Sequence, residues 1–243
     1  MHSLIDGILA ASRARGFAAA APWSKEERRD LITSARALKR RGFIPIIAEI
    51  KPKAVGRVLT PEEVAAYAGA YAENNACAIS VLTEPTHFLG ALHSALIARR
   101  AGLPVLRKDF IFDERQLAEV QADQVLLIAA LGIDLNRFVD AARAYGMEPL
   151  VEVHTEAELE RALNTDARII GINNRNLNTL KVDLGTFERL APWAKEAGVF
   201  LVAESGVHSQ EDALRMMRAG ADALLVGTAL MSGPERLGAI NKL

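Results

Sequence analysis

The sequence predicts an α/β fold, a closed (β/α)8 barrel with a helical extension at its N-terminus. Eight short apolar runs recur along the chain, and amphipathic segments with helical spacing separate them. No glycine-rich turn such as GxGxxG follows the first apolar run. The chain has 243 residues, which is enough for one such barrel. We therefore expect a single barrel domain over residues 1–243, with residues 1–43 as the helical extension.

The eight apolar runs are rich in Ile, Val and Leu, and each has the length of one β-strand. They cover residues 44–50, 77–82, 103–110, 124–131, 148–154, 168–174, 199–205 and 223–230. Helix-start signals occur at Thr60-Pro61 and at Ser209, and several amphipathic segments end on a glycine. Because continuous apolar strands alternate with helices, the pattern predicts a parallel sheet covered by helices. Eight repeats fit the TIM-barrel architecture.

An open, doubly wound sheet is the competing architecture. It would usually carry the glycine-rich first turn that is missing here, so the pattern favours the closed barrel. In the extension, LIDGILAASRA and KEERRDLITSARALKRRGF each carry an apolar stripe and predict helices. These helices could plug the barrel bottom or fold over its mouth, and residue spacing alone does not separate the two placements.

Composition narrows the class of protein. Half of the residues are hydrophobic and the formal net charge is -1, which gives no electrostatic reason to expect nucleic acid or an anionic membrane as a partner. Cys77 is the only cysteine, so a reducing, cytoplasmic setting is the default. We find no secretory signal pattern, no apolar run of the roughly 18–20 residues that cross a bilayer, and no metal-binding motif.

Polar residues and turn glycines at the ends of the apolar runs mark the candidate site, because barrel enzymes carry their chemistry at the C-terminal ends of the strands. They are Glu49, Lys51, Lys53, Lys108, Glu152, Asn173, Arg175, Glu204, Ser205, Gly227 and Thr228. Strand-end charges also form purely structural salt-bridge networks. However, lysines and carboxylates that converge on one mouth shift one another's pKa values, which is typical of a functional site.

Other polar residues are interpreted as lying outside the chemistry. Arg107 and Asp109 alternate with Lys108 and face the other way, so we predict that they belong to the barrel wall. No motif places a histidine beside Ser205, which argues against a hydrolase nucleophile. Loop or surface roles are predicted for His87, His93, His154 and His208.

A phosphate site is predicted at the ends of the last two strands. AESGV and LLVGTALM each place a glycine after the strand, Gly206 and Gly227, followed by a helix start. Backbone amides and the helix dipole bind phosphate at this position of the barrel. Either glycine alone could be a simple tight turn, and their paired position favours the phosphate site.

The strand-end motifs IIAEIK, VLRKDFI, LVEVHTEAEL, GINNRNLNTLKVDL, VAESGV and ALLVGTALM resemble, in this order, those of the indole-3-glycerol phosphate synthase family. The resemblance covers roughly residues 4–240, and RKDF and GINNRNL with VDL are its most specific parts. It implies ring closure of 1-(2-carboxyphenylamino)-1-deoxyribulose 5-phosphate to indole-3-glycerol phosphate, with loss of carbon dioxide and water, in tryptophan biosynthesis. It also implies a small phosphorylated substrate, no cofactor and no metal. Other tryptophan-pathway enzymes are candidate partners.

The same resemblance implies catalytic roles. Lys108 would be the general acid that protonates the substrate carbonyl. Glu152 would be the catalytic glutamate, with Glu49 beside it. Lys51 would meet the substrate carboxylate and pair with acidic residues. Asn173 would orient the substrate hydroxyls and Glu152.

Substrate-binding roles are implied as well. Phosphate would lie at the ends of the last two strands, and the anthranilate ring would pack on apolar residues at a mouth that the leading helices partly cover. Arg175 would buttress its strand end. The binding residues expected are Lys53, Phe110, Leu131, Arg175, Leu180, Glu204, Ser205, Gly206, Gly227 and Thr228.

One segment departs from the family pattern. The family usually follows its first-strand lysine with Ser-Pro-Ser and a glycine, whereas residues 52–56 read PKAVG. Lys53 or Arg57 could compensate with charge. Alternatively, the pocket takes a related aminodeoxyribulose phosphate, or the chain binds phosphorylated sugars without turnover. The retained acid–base residues argue against binding alone.

Overall fold

The computed structural model describes residues 4–18 and 28–242. Eight parallel strands pair in chain order, and β8 pairs with β1 to close the barrel. The strands are β1 Ile46–Ile50, β2 Ala78–Leu82, β3 Val105–Lys108, β4 Gln124–Ile128, β5 Glu148–Val153, β6 Ile169–Asn173, β7 Phe200–Glu204 and β8 Ala223–Val226. Each lies within one predicted apolar run. The predicted closed barrel is therefore confirmed, and the open sheet is excluded.

Helices surround the barrel, and their starts follow the predicted signals. Thr60 forms a capping box with Glu63, and Ser209 forms one with Asp212. A 3₁₀ helix, Glu114–Ala118, stands between β3 and β4 in place of an α-helix. No helix within the described residues is long and apolar enough to cross a membrane. The α-helices are α1 Leu4–Arg15, α2 Leu31–Arg40, α3 Pro61–Glu73, α4 His93–Arg99, α5 Leu135–Ala144, α6 Glu156–Leu163, α7 Gly185–Glu196, α8 Gln210–Arg218 and α9 Leu237–Ile240.

Two apolar cores result from the alternation of side chains along each strand. Ile47, Leu106 and Leu150 point into the barrel and join the inner core. Ile46 and Val105 point outward and pack against the covering helices. Each Ile or Leu side chain that is fully buried stabilises the fold by roughly 1.5–3 kcal/mol relative to an exposed one. The inner core fills the barrel interior below the cavity, so a ligand reaches the cavity from the C-terminal end of the strands.

Helix α2 closes the bottom of the barrel. Ser34 Oγ donates to the Cys77 carbonyl at 2.6 Å, and the Arg29 amide donates to Asp123 Oδ1 at 2.9 Å. Cys77 and Asp123 directly precede β2 and β4, so both contacts lie at the N-terminal ends of the strands. The buried apolar face of α2 joins the inner core. Of the predicted helix that starts at KEERRD, residues 25–27 lie outside the described residues, and α2 itself begins at Leu31.

Helix α1 lies at the opposite end, over the mouth. Ile8 is fully buried in the inner core together with Phe110. The Ala18 amide donates to Glu119 Oε1 at 2.9 Å, and the rings of Phe17 and Phe112 lie 6.4 Å apart. These partners follow β3 in the chain, at its C-terminal end. The expectation that the leading helices partly cover the mouth is therefore confirmed for α1 and wrong for α2, because each helix packs on a different end of the inner core.

Candidate active site

A cavity of about 880 Å³, counting its open entrance, lies at the C-terminal end of the barrel. Within the described residues no group of three His, Cys, Asp or Glu side chains is placed to hold a metal ion. The predicted residues that line the cavity are Glu49, Lys51, Lys108, Phe110, Glu152, Asn173, Arg175, Glu204, Ser205, Gly206, Gly227 and Thr228.

Four charged side chains form one layer across the barrel. Glu49, Lys108, Glu152 and Glu204 come from β1, β3, β5 and β7, and all four line the cavity. Alternate strands of such barrels contribute the four side chains of a layer, which is usually filled by Val, Ile or Leu. Here the layer nearest the mouth is charged, and it lies directly above the apolar floor.

Lys108 is the centre of this layer. Its Nζ donates to Glu204 Oε2 at 2.9 Å and to Glu152 Oε2 at 3.2 Å. The lysine side chain is 16% exposed, and those of Glu152 and Glu204 are 2% and 1% exposed. Charged groups this deeply buried require partners, because desolvation without pairing is costly. One ammonium group therefore holds two carboxyl groups close together at the base of the cavity.

The three groups differ in protonation. Burial alone would lower the pKa of Lys108, but the charges of Glu204, Glu152 and Glu49 outweigh it and raise that pKa. Burial raises the pKa of Glu204 to about 8, because the charge of Glu152 offsets much of the opposing effect of Lys108. Burial acts in the same sense on Glu152, yet Lys108 and His154 lower its pKa below the ordinary value. The surroundings thus raise the pKa values of Lys108 and Glu204 and lower that of Glu152, so of the two carboxyl groups Glu204 holds a proton more readily.

Glycines on the neighbouring strands make room for the carboxyl groups. A Cβ on Gly227 would lie 2.8 Å from Glu49 Oε2, and a Cβ on Gly171 would collide with Glu204 Oε1. Since real Cβ atoms do not approach other atoms this closely, a side chain at either position would displace a carboxylate. Gly227 therefore serves the charged layer directly, in addition to its predicted place beside the phosphate.

His154 lies in the loop between β5 and α6, as predicted, but it is not a surface residue. It directly follows β5, its side chain is 9% exposed, and its Nε2 lies 3.3 Å from Glu152 Oε1. Its Nδ1 lies 3.1 Å from Glu158 Oε2. Burial alone would lower the pKa of His154, but the two carboxylates raise it to about 10. His208, also predicted as a loop or surface residue, is exposed but lines the cavity.

The strand ends predicted to hold phosphate form two tight turns. Ser205 and Gly206 both have positive φ, 64° and 89°, and a Cβ on Gly206 would come within 2.7 Å of Val182 and Leu184. A left-handed serine costs about 1–3 kcal/mol, and such strain clusters at functional sites. Helix α8 begins shortly after, at Gln210.

The turn after β8 differs from the prediction. Its backbone closes a single turn, in which the Met231 amide donates to the Gly227 carbonyl at 3.2 Å. The next regular helix, α9, starts only at Leu237. The predicted helix start directly after Gly227 is therefore wrong, because the chain leaves that turn before a second helical turn can form. Backbone amides remain available at the strand end, without the dipole of an adjoining helix.

Two predicted contacts between site residues are not made. Lys51 Nζ lies 3.4 Å from Thr228 Oγ1, at the phosphate end, and no carboxylate of the described chain lies within 4.0 Å of it. Asn173 Oδ1 accepts from the Arg175 amide at 2.9 Å, and among the described residues no hydrogen bond joins Asn173 to Glu152. Both side chains line the cavity, where a substrate could contact them.

An aromatic wall lines the cavity at the ends of β2 and β3. The rings of Phe88 and Phe110 are stacked, with centroids 5.9 Å apart and planes inclined by 25°. Phe88 was not predicted, although it lies in TEPTHF directly after β2. The buried carboxylate of Glu84 accepts from the Phe88 amide at 3.0 Å and from two amides before it, which folds this segment toward the mouth.

Three predicted binding residues do not line the cavity. The strand β1 ends at Ile50, so the alternation that placed Lys53 beside Glu49 stops, and Lys53 Nζ lies 5.3 Å from the ring centre of Phe88. Leu131 ends a 3₁₀ helix and packs against the inner core. Leu180 is 48% exposed in the loop after β6.

The prediction that Arg107 and Asp109 belong to the barrel wall is confirmed. Arg107 is fully buried, and its Nη2 donates to Asp109 Oδ2 at 3.1 Å and to Glu119 Oε2 at 2.8 Å. Asp109 also borders the cavity. Glu119 accepts the Ala18 amide as well, so this network connects the strand that carries Lys108 with the segment after α1.

Comparison with known proteins identifies the family. The family model described as indole-3-glycerol phosphate synthase matches residues 9–243. The chain belongs to the indole-3-glycerol phosphate synthase family. The resemblance of the strand-end motifs is thereby confirmed, and the charged layer at the mouth is the candidate active site of a member of this family.

Curated relatives carry the family's name. An indole-3-glycerol phosphate synthase of Halobacterium salinarum is 46% identical over 248 aligned residues, which cover 97% of this chain and 94% of the relative. Those of Haloarcula marismortui and Carboxydothermus hydrogenoformans are 48% and 43% identical, over 78% and 80% of this chain and 72% and 77% of theirs.

Solved structures with low identity share the barrel. The N-acetylmannosamine-6-phosphate 2-epimerase of Clostridium perfringens aligns with a TM-score of 0.58 at 15% identity, over 86% of this chain and 93% of that one. A structure titled "Native KDPGal structure" aligns with a TM-score of 0.59 at 16% identity, over 81% of this chain and 92% of that one. At such identities the likeness supports the fold of this indole-3-glycerol phosphate synthase family member and nothing finer.

Proposed function

We infer that this chain is a carbon–carbon lyase that converts 1-(2-carboxyphenylamino)-1-deoxyribulose 5-phosphate to indole-3-glycerol phosphate, with release of carbon dioxide and water, in tryptophan biosynthesis. The main support for this activity is that the family match extends over nearly the whole chain. Within the site, the observation that carries it is the Lys108 ammonium held between Glu152 and Glu204 at the base of the mouth.

Lys108 fits the first chemical step. When an aromatic ring carbon attacks the ketone, a carbon–carbon bond forms and the carbonyl electron pair moves to oxygen, which must take a proton. A lysine that neighbouring carboxylates keep protonated can deliver that proton and stabilise the developing charge. The raised pKa of Lys108 supports this role, because the ammonium persists at neutral pH.

Glu152 and Glu204 fit the later steps. After carbon dioxide leaves and its bonding electrons return to the ring system, the new hydroxyl must leave as water and a carbon must lose one proton. The first event needs an acid and the second needs a base. Glu204, whose pKa is raised, and Glu152, whose pKa is lowered, both lie within reach of Lys108 and are a matched acid and base for these transfers. Glu49 adds charge that keeps Lys108 protonated.

The two ends of the cavity favour one orientation of the substrate. The phosphate would bind at the turns of Ser205–Gly206 and Gly227–Thr228, beside Lys51 Nζ. The anthranilate ring would pack on the aromatic wall of Phe88 and Phe110. Asn173 and Arg175 would contact the substrate between these ends. Contacts of the substrate with Lys53, Leu131 and Leu180 stay predictions.

Direct assay tests this function. Purified protein is incubated with the carboxyphenylamino-deoxyribulose phosphate, and indole fluorescence is followed over time. We expect product with wild type and a kcat lowered by about 10²–10⁴-fold in Lys108→Met, the usual contribution of a general acid. Lys39→Met, an exposed change in the last turn of α2, is the matched control and should leave kcat unchanged.

Each other outcome is informative. No product at high protein concentration would overturn the inferred activity. Protection against heat unfolding by the substrate without turnover would instead indicate a binding protein. Turnover confined to a related aminodeoxyribulose phosphate would indicate a changed pocket at residues 52–56. If the kcat of Lys108→Met stays within threefold of wild type, Lys108 is not the general acid.

Composition supports the proposed setting and partners. A net charge of -1 supports a small-molecule partner without nucleic acid or membrane, and one cysteine supports a cytoplasmic location. Other tryptophan-pathway enzymes remain candidate partners. We also propose one domain, because α1 and α2 pack onto the two ends of the same inner core.

A further inference from the structure

The imidazole of His154 lies between two carboxylates. Its Nε2 is 3.3 Å from Glu152 Oε1, an ion-pair contact that is not aligned as a hydrogen bond, and its Nδ1 is 3.1 Å from Glu158 Oε2. We propose that His154 is a positioning residue that fixes one oxygen of Glu152, so that the other oxygen stays against Lys108 and Glu152 remains the ionised member of the carboxyl pair. This inference rests on the proposed function, because it assigns the two carboxyl groups their separate roles.

The start of α6 holds the imidazole in place. Thr155 is the N-cap, and its Oγ1 accepts from the Glu158 amide at 3.2 Å. Threonine with glutamate three residues on predicts a capping box, in which the glutamate returns to the N-cap amide. Here Glu158 Oε2 instead accepts from the His154 amide at 2.8 Å and faces the His154 ring. One carboxylate oxygen therefore fixes both the backbone and the ring of this histidine.

Both ring nitrogens face acceptors, and only the imidazolium form carries a hydrogen on each nitrogen. The charged groups that act on the ring are Glu152 and Glu158, and their effect exceeds that of burial. Arg161 of α6 acts on Glu158 and donates to the Ala129 carbonyl. The short helix Ala129–Leu131, which packs against β5 and α6, has no charged side chain. Its two carboxylate neighbours thus raise the pKa of His154 and favour the imidazolium form.

The pairing of the two catalytic carboxyl groups is consequently unequal. Glu152 meets two cations, because His154 faces Oε1 and Lys108 Nζ lies 3.2 Å from Oε2. Of these two cations Glu204 meets only Lys108, at Oε2, and its interaction with the neighbouring Glu152 raises its pKa. The adjacent strands β4 and β6 contribute no ionisable side chain. The lowered pKa of Glu152 and the raised pKa of Glu204 agree with this unequal pairing, which favours a proton on Glu204 over one on Glu152.

The pH profile of His154→Gln tests the positioning role. Activity that needs ionised Glu152 declines on the acidic side as this carboxylate takes a proton. Removal of one of its two cations raises its pKa, so the acidic limb of kcat should move up by about one pH unit or more. KM should change less than about twofold, because His154 does not line the cavity and would lose no substrate contact.

Ring titration gives a readout that does not depend on turnover. In wild-type protein with isotope-labelled histidine, the NMR signals of His154 should stay those of imidazolium up to pH 9, given its pKa of about 10. In Glu158→Gln the ring loses one carboxylate and should titrate at lower pH. If wild type forms no product, the proposed function fails while this titration still tests the position of the ring.

His93→Gln is the matched control. This histidine is exposed at the first position of α4, so its loss should leave the acidic limb and KM unchanged. The inference is overturned if His154→Gln keeps the wild-type acidic limb, or if the wild-type ring is neutral at pH 7. Should His154→Gln fail to fold by circular dichroism, the wild-type titration alone decides.

Discussion

Glu204 occupies the space in front of Gly171. A Cβ on Gly171 would collide with Glu204 Oε1 and would lie 2.7 Å from Leu150 Cδ2, so only glycine at this position of β6 leaves room for the carboxyl group of β7. The other oxygen of that carboxyl group accepts from Lys108 Nζ at 2.9 Å. The absence of a side chain at Gly171 of β6 therefore determines where the Glu204 carboxyl group of β7 can lie.

Gly171→Ala should consequently damage catalysis more than folding. The methyl group would push Glu204 away from Lys108, and displacements of about 1 Å can cost 10²-fold in rate. We expect kcat to fall at least tenfold, with an overpacking cost of about 1–3 kcal/mol in urea unfolding. Gly69→Ala in α3 is the control, since nothing lies within 4 Å of its new Cβ. It should stabilise by about 0.5–1 kcal/mol and leave kcat alone. Equal kcat in both variants would refute the steric argument.

The two cations of the altered first loop should contribute unequally to substrate binding. Arg57 is already paired with Glu63 through two hydrogen bonds, of 2.8 and 2.5 Å. Lys53 Nζ forms no ion pair with the part of the chain that the structure describes, and it lies 5.3 Å from the Phe88 ring centre, beside the aromatic wall. Lys53→Met should therefore raise KM several-fold with kcat unchanged, while Arg57→Met leaves both near wild type in steady-state assays. A larger KM effect from Arg57→Met would assign the compensating charge to that residue instead.

The buried network behind β3 should govern both stability and the attachment of α1. Glu119→Gln replaces the carboxylate that accepts from Arg107 and from the Ala18 amide. Because hydrogen bonds to charged groups contribute about 1.5–3 kcal/mol, a loss of this size is expected in urea unfolding. Amides of α1 should also exchange faster with solvent. Glu160 is exposed in α6, away from this network, so the same change, Glu160→Gln, should alter neither quantity.

Stability at acidic pH should depend on Glu148, at the bottom of the barrel. Burial alone would raise its pKa, but hydrogen bonds from Arg168, Arg28 and Arg143 outweigh this and lower it from 4.5 to about 2. The folded pKa is lower than the unfolded one, so this contribution is present above pH 4.5 and is lost as pH falls toward 2. Glu148→Gln should lower Tm at pH 7 and flatten its decline between these values. Glu160→Gln, an exposed change in α6, should keep the wild-type slope.

Much of the charged layer could be predicted from the sequence, because a period of two within a strand sets which side chains face inward. Lys108, Glu152 and Glu204 each stand at or near the end of an apolar run, and closure of the barrel brings those ends together. The alternation ceases where the strand ends. Lys53 and Leu180 lie in loops after the ends of β1 and β6. Their positions depend on contacts within those loops, which the local sequence pattern does not predict.

His154 was missed for a different reason. The sequence contains both of its neighbours, Glu152 two residues before and Glu158 four residues after. The capping-box pattern predicts that the Glu158 carboxylate accepts from the N-cap amide of Thr155. In the structure it accepts from the His154 amide instead, because of the path that the backbone takes before α6. The two leading helices were ambiguous in a similar way. Their apolar stripes predict that one face of each helix is buried, but they do not indicate which end of the barrel it covers. The inner core exposes an apolar surface at both ends.

The contacts of the extension also bear on how the chain reaches its fold. Arg29 meets Asp123 across 94 residues, Ala18 meets Glu119 across 101, and Arg28 meets Glu148 across 120. Contacts so distant in sequence form late, since a long loop must close before they stabilise anything. Recovery of catalytic activity after dilution from denaturant should therefore lag behind recovery of helical circular dichroism. During synthesis, Ala18, Arg28 and Arg29 are made well before Glu119, Asp123 and Glu148, so these contacts cannot form until the middle of the barrel has been synthesised.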